Sequence, residues 1–166
     1  VALTPVPNAN PAMQAITWFA VGVGAGHLAD RDRAKMAHDK LEQIREALLA
    51  SKDEQMRVYW SEQVEIQRRE VAAWLAYAED RNDDAVLLMR SAVELEDSTE
   101  KHPVTPGQVV PAREMLGDLY LALRQPSLAL HEYEQVLKKS PNRFNALYNA
   151  ARAAKLLDQA ENAKQY

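Results

Sequence analysis

With 166 residues, 47% of them apolar and 27% charged, the chain has the composition of one ordinary folded domain rather than of a disordered segment. A net charge of -4 with no run of five basic residues argues against a nucleic-acid partner, and the absence of cysteine removes disulfides, thiolate nucleophiles and thiolate-bound zinc. The compartment stays open: the reading leans to a soluble cytoplasmic chain, and a targeting signal could be missing, because the sequence opens at Val1 without methionine and closes inside a helical pattern, as a piece of something longer would.

Residues 1–11 hold three prolines and two asparagines and read as an extended lead-in. A first helix is expected from about Asn10 to Leu28. Its apolar stretch, Ala12 to Leu28, is broken by Gln14, Thr17 and His27 and carries three glycines, so it is not a membrane span. Ala29 to Ala34 form a turn, after which Met36, Leu41, Ile44 and Leu48 recur at helical spacing. Ser51-x2-Glu54 is a capping box that starts a long helix at about 52–80, with Met56, Trp60, Val64, Val71, Leu75 and Ala78 as its apolar stripe. Asp80 to Ala85 form the next turn, where Asp83 and Asp84 cap a helix packed through Ala85, Met89 and Ala92.

Residues 98–109 contain two prolines and a glycine and form an inserted loop. The following helix starts either at Thr105-Pro106-Gly107-Gln108 or at Pro111 and runs through Leu123. Pro126 to Lys139 make its partner. Ser140-Pro141-Asn142 start a further helix with Leu147, Ala150, Ala151 and Ala154 at packing positions, ended by Asp158, and Ala163 opens a truncated partner.

These helix pairs share one code. Leu116-Gly117-x2-Tyr120 followed by Ala129, Tyr133, Val136 and Pro141 is its clearest copy, and Ala129 to Ala163 repeats at 34 residues where Ala85 to Ala129 takes 44. This order of large, small and aromatic residues resembles the tetratricopeptide repeat. The wording of Glu100 to Tyr120 and of Asn142 to Ala154 resembles the C-terminal part of large bacterial tetratricopeptide proteins with no assigned activity. The resemblance covers about residues 12–50 and 66–166. It implies an all-α fold, a right-handed solenoid of antiparallel helix pairs forming a single domain over 12–166, with repeats at about 12–50, 66–97, 110–141 and 142–166. Small residues at Gly22, Ala73, Gly117 and Ala151, and at Ala34, Ala85, Ala129 and Ala163, would let paired helices approach closely.

The resemblance also implies a concave wall built from the first helix of each pair, the usual binding surface of such folds. In this register the inward positions are Phe19 and Val23, then Glu70, Trp74 and Tyr77, then Glu114 and Asp118, then Tyr148, Asn149, Arg152 and Lys155. The family's carboxylate clamp of lysine, asparagine and arginine is not reproduced, because Glu114 and Asp118 stand where it needs cations. A groove aromatic in the middle, acidic beside it and basic at the end suits a peptide carrying an apolar anchor and a cation. Trp74 and Tyr77 have a second reading, as packing against the long preceding helix or a missing part of the chain.

No constellation supports catalysis, a metal or a cofactor. His131-Glu132-Tyr133-Glu134-Gln135 lacks the second histidine of a helical zinc site, and His27, Asp30 and His38 have no fixed spacing. Gly22-x-Gly24-x-Gly26 has no preceding strand and reads as helix packing rather than a dinucleotide loop. Glu100, His102 and Thr105 in the inserted loop are the residues packing does not require, and so are candidates for partner contact. The expectation is a non-catalytic module that binds a protein or peptide. The alternative is a C-terminal structural segment of a larger protein whose activity lies upstream. The oligomeric state is left open.

Overall fold

The computed structural model describes residues 3, 4, 6, 9–99, 109–158, 163 and 166. Among them it is all-α, with seven α-helices, one π-helical turn and no strand. None of these helices is long and apolar enough to cross a membrane. The chain forms two compact units, Val1–Val109 and Val110–Tyr166, which divide where the inserted loop was expected to end.

In the first unit, α1 (Pro11–His27) begins where the Asn10 side chain accepts a hydrogen bond from the Ala12 amide at 2.9 Å and proline fills the first helical position. It packs against α2 (Arg31–Leu49) and α3 (Ser61–Ala78), and α3 packs against α4 (Asn82–Ser98). α2 buries Ala34, Ala37, Leu41, Ile44 and Leu48, one face at helical spacing; Met36, expected inside, is exposed and Ala37 takes its place. Two glycines of α1 make the close crossings. A Cβ on Gly22 would lie 2.6 Å from Val71, and one on Gly26 would lie 2.6 Å from Cβ of Trp74 and 3.1 Å from its carbonyl carbon, whereas one on Gly24 would meet nothing within 4 Å.

The long helix starts later than the capping box predicts. Asp53, not Ser51, is its cap: its carboxylate accepts from the amides of Gln55 at 2.9 Å and Met56 at 3.3 Å, while the Ser51 hydroxyl accepts from the Asp53 amide. Met56–Trp60 then form a π-helical turn that runs straight into α3. A π turn takes in one extra residue and so rotates the preceding segment by about 100° relative to a continuous α-helix. Met56 and Trp60 consequently stay half-buried, and the buried stripe is Val64, Val71, Trp74 and Ala78, with Trp74 where Leu75 was expected.

In the second unit, α5 (Ala112–Ala122) packs against α6 (Pro126–Lys139), which packs against α7 (Phe144–Leu156). Pro111 caps α5, so its other candidate start, at Thr105 to Gln108, falls outside the described residues. Gly117 is the close crossing here, since a Cβ would lie 2.6 Å from the Tyr133 ring. α7 starts at Phe144, later than Ser140-Pro141-Asn142 suggest, and buries Ala146, Ala150, Ala153 and Ala154, while Leu147 and Ala151 are only half-buried. Of the expected truncated partner only Ala163 is described among its packing residues, and it is buried.

Both units use the same inter-helix turn. Ala29, Asp80 and Arg124 sit at positive φ just past α1, α3 and α5, each five residues before the fully buried Ala34, Ala85 and Ala129. In each turn the next amide reaches back to a carbonyl five residues earlier: Asp30 to Ala25 at 2.9 Å, Arg81 to Ala76 at 2.9 Å and Gln125 to Tyr120 at 2.8 Å. This Schellman pairing satisfies the helix-end carbonyls and reverses the chain. Asp158 follows α7 in the same conformation.

Candidate functional site

α7 presents two unlike faces. Its alanines let it lie flush on the neighbouring helix, and the opposite side carries Phe144, Tyr148, Arg152 and Leu156, all exposed at four-residue spacing. Residues four apart stack one above another on a helix, so these form a single slanting stripe. Phe144 is 75% exposed and Tyr148 58%, yet their rings stack at 6.2 Å with 14° between planes. The Arg152 guanidinium lies 5.9 Å from the Tyr148 ring centre, within cation–π range. Phe144 was absent from the expected contact residues. Its spacing from Tyr148 was the signal that could have found it.

Arg152 also donates to the Asn149 side-chain oxygen at 3.0 Å, and Asn149 donates to Asp118 of α5 at 3.1 Å. The same Asp118 oxygen accepts the Tyr133 hydroxyl at 2.6 Å. Burial, and then the neighbouring Glu114 charge, raise the Asp118 carboxyl above its ordinary range in spite of these bonds; burial and Asp118 likewise push the Tyr133 phenol up. Glu114 itself is 1% exposed and is held by Arg143, whose Nε bonds one carboxylate oxygen and whose second nitrogen lies 3.3 Å from the other. The structure thus brings Glu114, Asp118, Tyr148, Asn149 and Arg152 together within the second unit. Glu114 does not face a ligand, because an arginine that sequence reasoning missed already neutralises it. A carboxylate at a packing register needs such a cation, but the sequence does not say which arginine supplies it.

In the first unit Glu70 and Trp74, two of the expected contact residues, are enclosed. Trp74 is 0% exposed and Glu70 1%, so neither lines an open groove. Trp74 lies against His27 with ring centres 3.8 Å apart and meets Tyr77 edge-on at 5.6 Å. Burial lowers the His27 pKa. Tyr77 remains half-buried. Trp74 packs on α1 rather than on a long preceding helix, of which it is itself a part, and closes over the glycine crossing of α1.

Glu65 and Glu70, five residues apart on α3, meet opposite environments. Burial alone would raise Glu65, but hydrogen bonds from Arg68 at 2.9 Å and Arg69 at 2.8 Å, with Arg45 at 3.1 Å, hold it below the carboxylate range. Glu70 is pushed well above that range by burial and then by the charge of Glu96, and one of its oxygens has no hydrogen-bond partner. A carboxyl raised in the folded state stabilises fully below its unfolded pKa, and that contribution is lost as pH rises through the folded value. The loss therefore begins at roughly pH 4–5, where free glutamate titrates, and grows upward. Glu70→Gln keeps the shape and removes the charge. It should stabilise the first unit by about 1–3 kcal/mol at pH 8 and change little at pH 4. Urea unfolding read by tryptophan fluorescence is selective for this unit, which holds all three tryptophans. Equal effects at the two pH values would contradict the assignment.

The remaining candidates among the described residues are engaged in ion pairs, caps and packing. Glu132 pairs with Arg113 at 2.8 Å, Tyr133 is buried, and no group of three metal-ligating side chains occurs among the described residues. Asp30 caps α2 by accepting the Arg33 amide at 3.1 Å, and a His38 ring nitrogen lies 2.8 Å from Arg68, so His27, Asp30 and His38 have separate structural tasks. Asp83 and Asp84 stand in the first turn of α4, where Asp84 pairs with Arg81 at 2.8 Å. Glu100, His102 and Thr105 lie outside the described residues. No protein-family model matches the sequence, and no curated protein matches it either.

Proposed function

We propose that this chain is a non-catalytic interaction module of the tetratricopeptide type, binding a protein or peptide through the exposed face of α7. The observation that carries the reading is the stacked Phe144–Tyr148 pair, two large aromatic rings side by side on a helix surface open to solvent. Aromatic rings beside an arginine are the residue types that dominate binding energy when a partner covers them. Aromatic side chains supply a large contact area with few torsions, so little side-chain entropy is lost when a partner covers them. The shared Schellman turns and small-residue crossings support the helix-pair repeat.

The variant Phe144→Ser/Tyr148→Ser tests this. Both residues are exposed, so the melting temperature should stay within about 2 °C of the parent. Capture of a partner from a lysate of the source cells should be lost. Retained capture of the same proteins by the folded variant would sink the α7 reading and favour the alternative, a structural segment of a longer chain.

A further inference from the structure

The charges near the α7 stripe are unbalanced where a partner would meet them. Both acids of α5 that reach α7 or its cap are engaged within the second unit: Glu114 by Arg143, and Asp118 by the Tyr133 hydroxyl and the Asn149 amide. Arg152 and Lys155 are exposed, and neither makes an ion pair among the described residues. Asp158, just past the end of α7, is also exposed. Arg152, over the Tyr148 ring and within electrostatic reach of the half-buried Asp118 but not ion-paired to it, is left as an accessible cation. This reverses the charge that the sequence suggested for the partner, since of the expected acidic part Glu114 is closed to solvent and Asp118, half-buried, is taken up by Tyr133 and Asn149.

Spacing narrows the partner further. Tyr148 and Arg152 are one turn apart, about 6 Å along the helix axis. Side chains on one face of an extended peptide repeat every second residue, roughly 6.6 Å. An apolar side chain laid on the rings therefore places the side chain two residues away over the guanidinium. Resting on the reading of α7 as the contact surface, we infer that the partner is an extended acidic segment, with an aromatic or aliphatic anchor on Phe144 and Tyr148 and a carboxylate two residues away on Arg152.

Selection of random dodecapeptides displayed on phage tests this with the intact chain. Aspartate and glutamate should be enriched about tenfold over lysine and arginine at the second position from an apolar residue. The enrichment should vanish on Tyr148→Ala and turn toward lysine and arginine on Arg152→Glu, with circular dichroism melts showing both variants folded. Basic peptides that still require Tyr148 would overturn the charge assignment and leave the contact surface standing. No enrichment, or the same peptides on Tyr148→Ala, would overturn both.

Discussion

Arg143→Ala should destabilise the second unit by about 3 kcal/mol, because it leaves the Glu114 carboxylate buried without its cation. Glu114 is closed to solvent, and Arg143, placed just before α7, donates to both of its carboxylate oxygens. Breaking such a pair on one side costs far more than the pair contributes, since the remaining charge must be desolvated or protonated. The double change Glu114→Leu/Arg143→Met removes both charges and should recover most of the loss. Urea unfolding followed by circular dichroism, with tryptophan fluorescence reporting the first unit separately, measures this. A loss below about 0.5 kcal/mol for Arg143→Ala would put the pair in the class of surface ion pairs and contradict its burial.

Gly26→Ala carries the second large effect, about 2–3 kcal/mol against the first unit. The new methyl would meet Cβ of Trp74 at 2.6 Å and backbone atoms of the same residue at 3.1 Å, and backbone cannot rotate away as a side-chain tip can. Two residues earlier the same substitution should act in reverse. Gly24 has open space around it, so Gly24→Ala should stabilise the unit by about 0.5–1 kcal/mol through helix propensity. Thermal melts of the two single variants decide it, and a destabilised Gly24→Ala would mean that the crossing is not confined to Gly22 and Gly26.

What the sequence made legible was local. α6 is expected and found at Pro126–Lys139, because proline at its start and two lysines in its last turn are strong end signals. The small residues Ala34, Ala85 and Ala129 mark buried crossings because few side chains fit there, and each sits at a fixed distance from its turn. Features set by competition between neighbours were hidden. Ser51 and Asp53 are both good caps, and the carboxylate took the amides. Trp74 and Leu75 differ by one step around α3, so register alone could not say which would be enclosed, and the π turn upstream displaced Met56 and Trp60 from the apolar stripe. Of the candidate site, Tyr148, Asn149 and Arg152 were named in advance and are brought together. Glu70, Trp74 and Glu114 were assigned to a surface that packing closes. The Glu114–Arg143 pair spans 29 residues and depends on how α7 meets α5, which no local pattern encodes.

The most direct test of α7 as the contact surface is photo-crosslinking from a benzoylphenylalanine placed at Tyr148, with one at the open position Gly24 of the first unit as control. The account predicts that a discrete partner or peptide becomes covalently attached from position 148 and not from position 24, and that excess unlabelled acidic peptide recovered by the phage selection suppresses the product. Attachment from position 24 alone, or a product at 148 that this peptide leaves untouched, would contradict it.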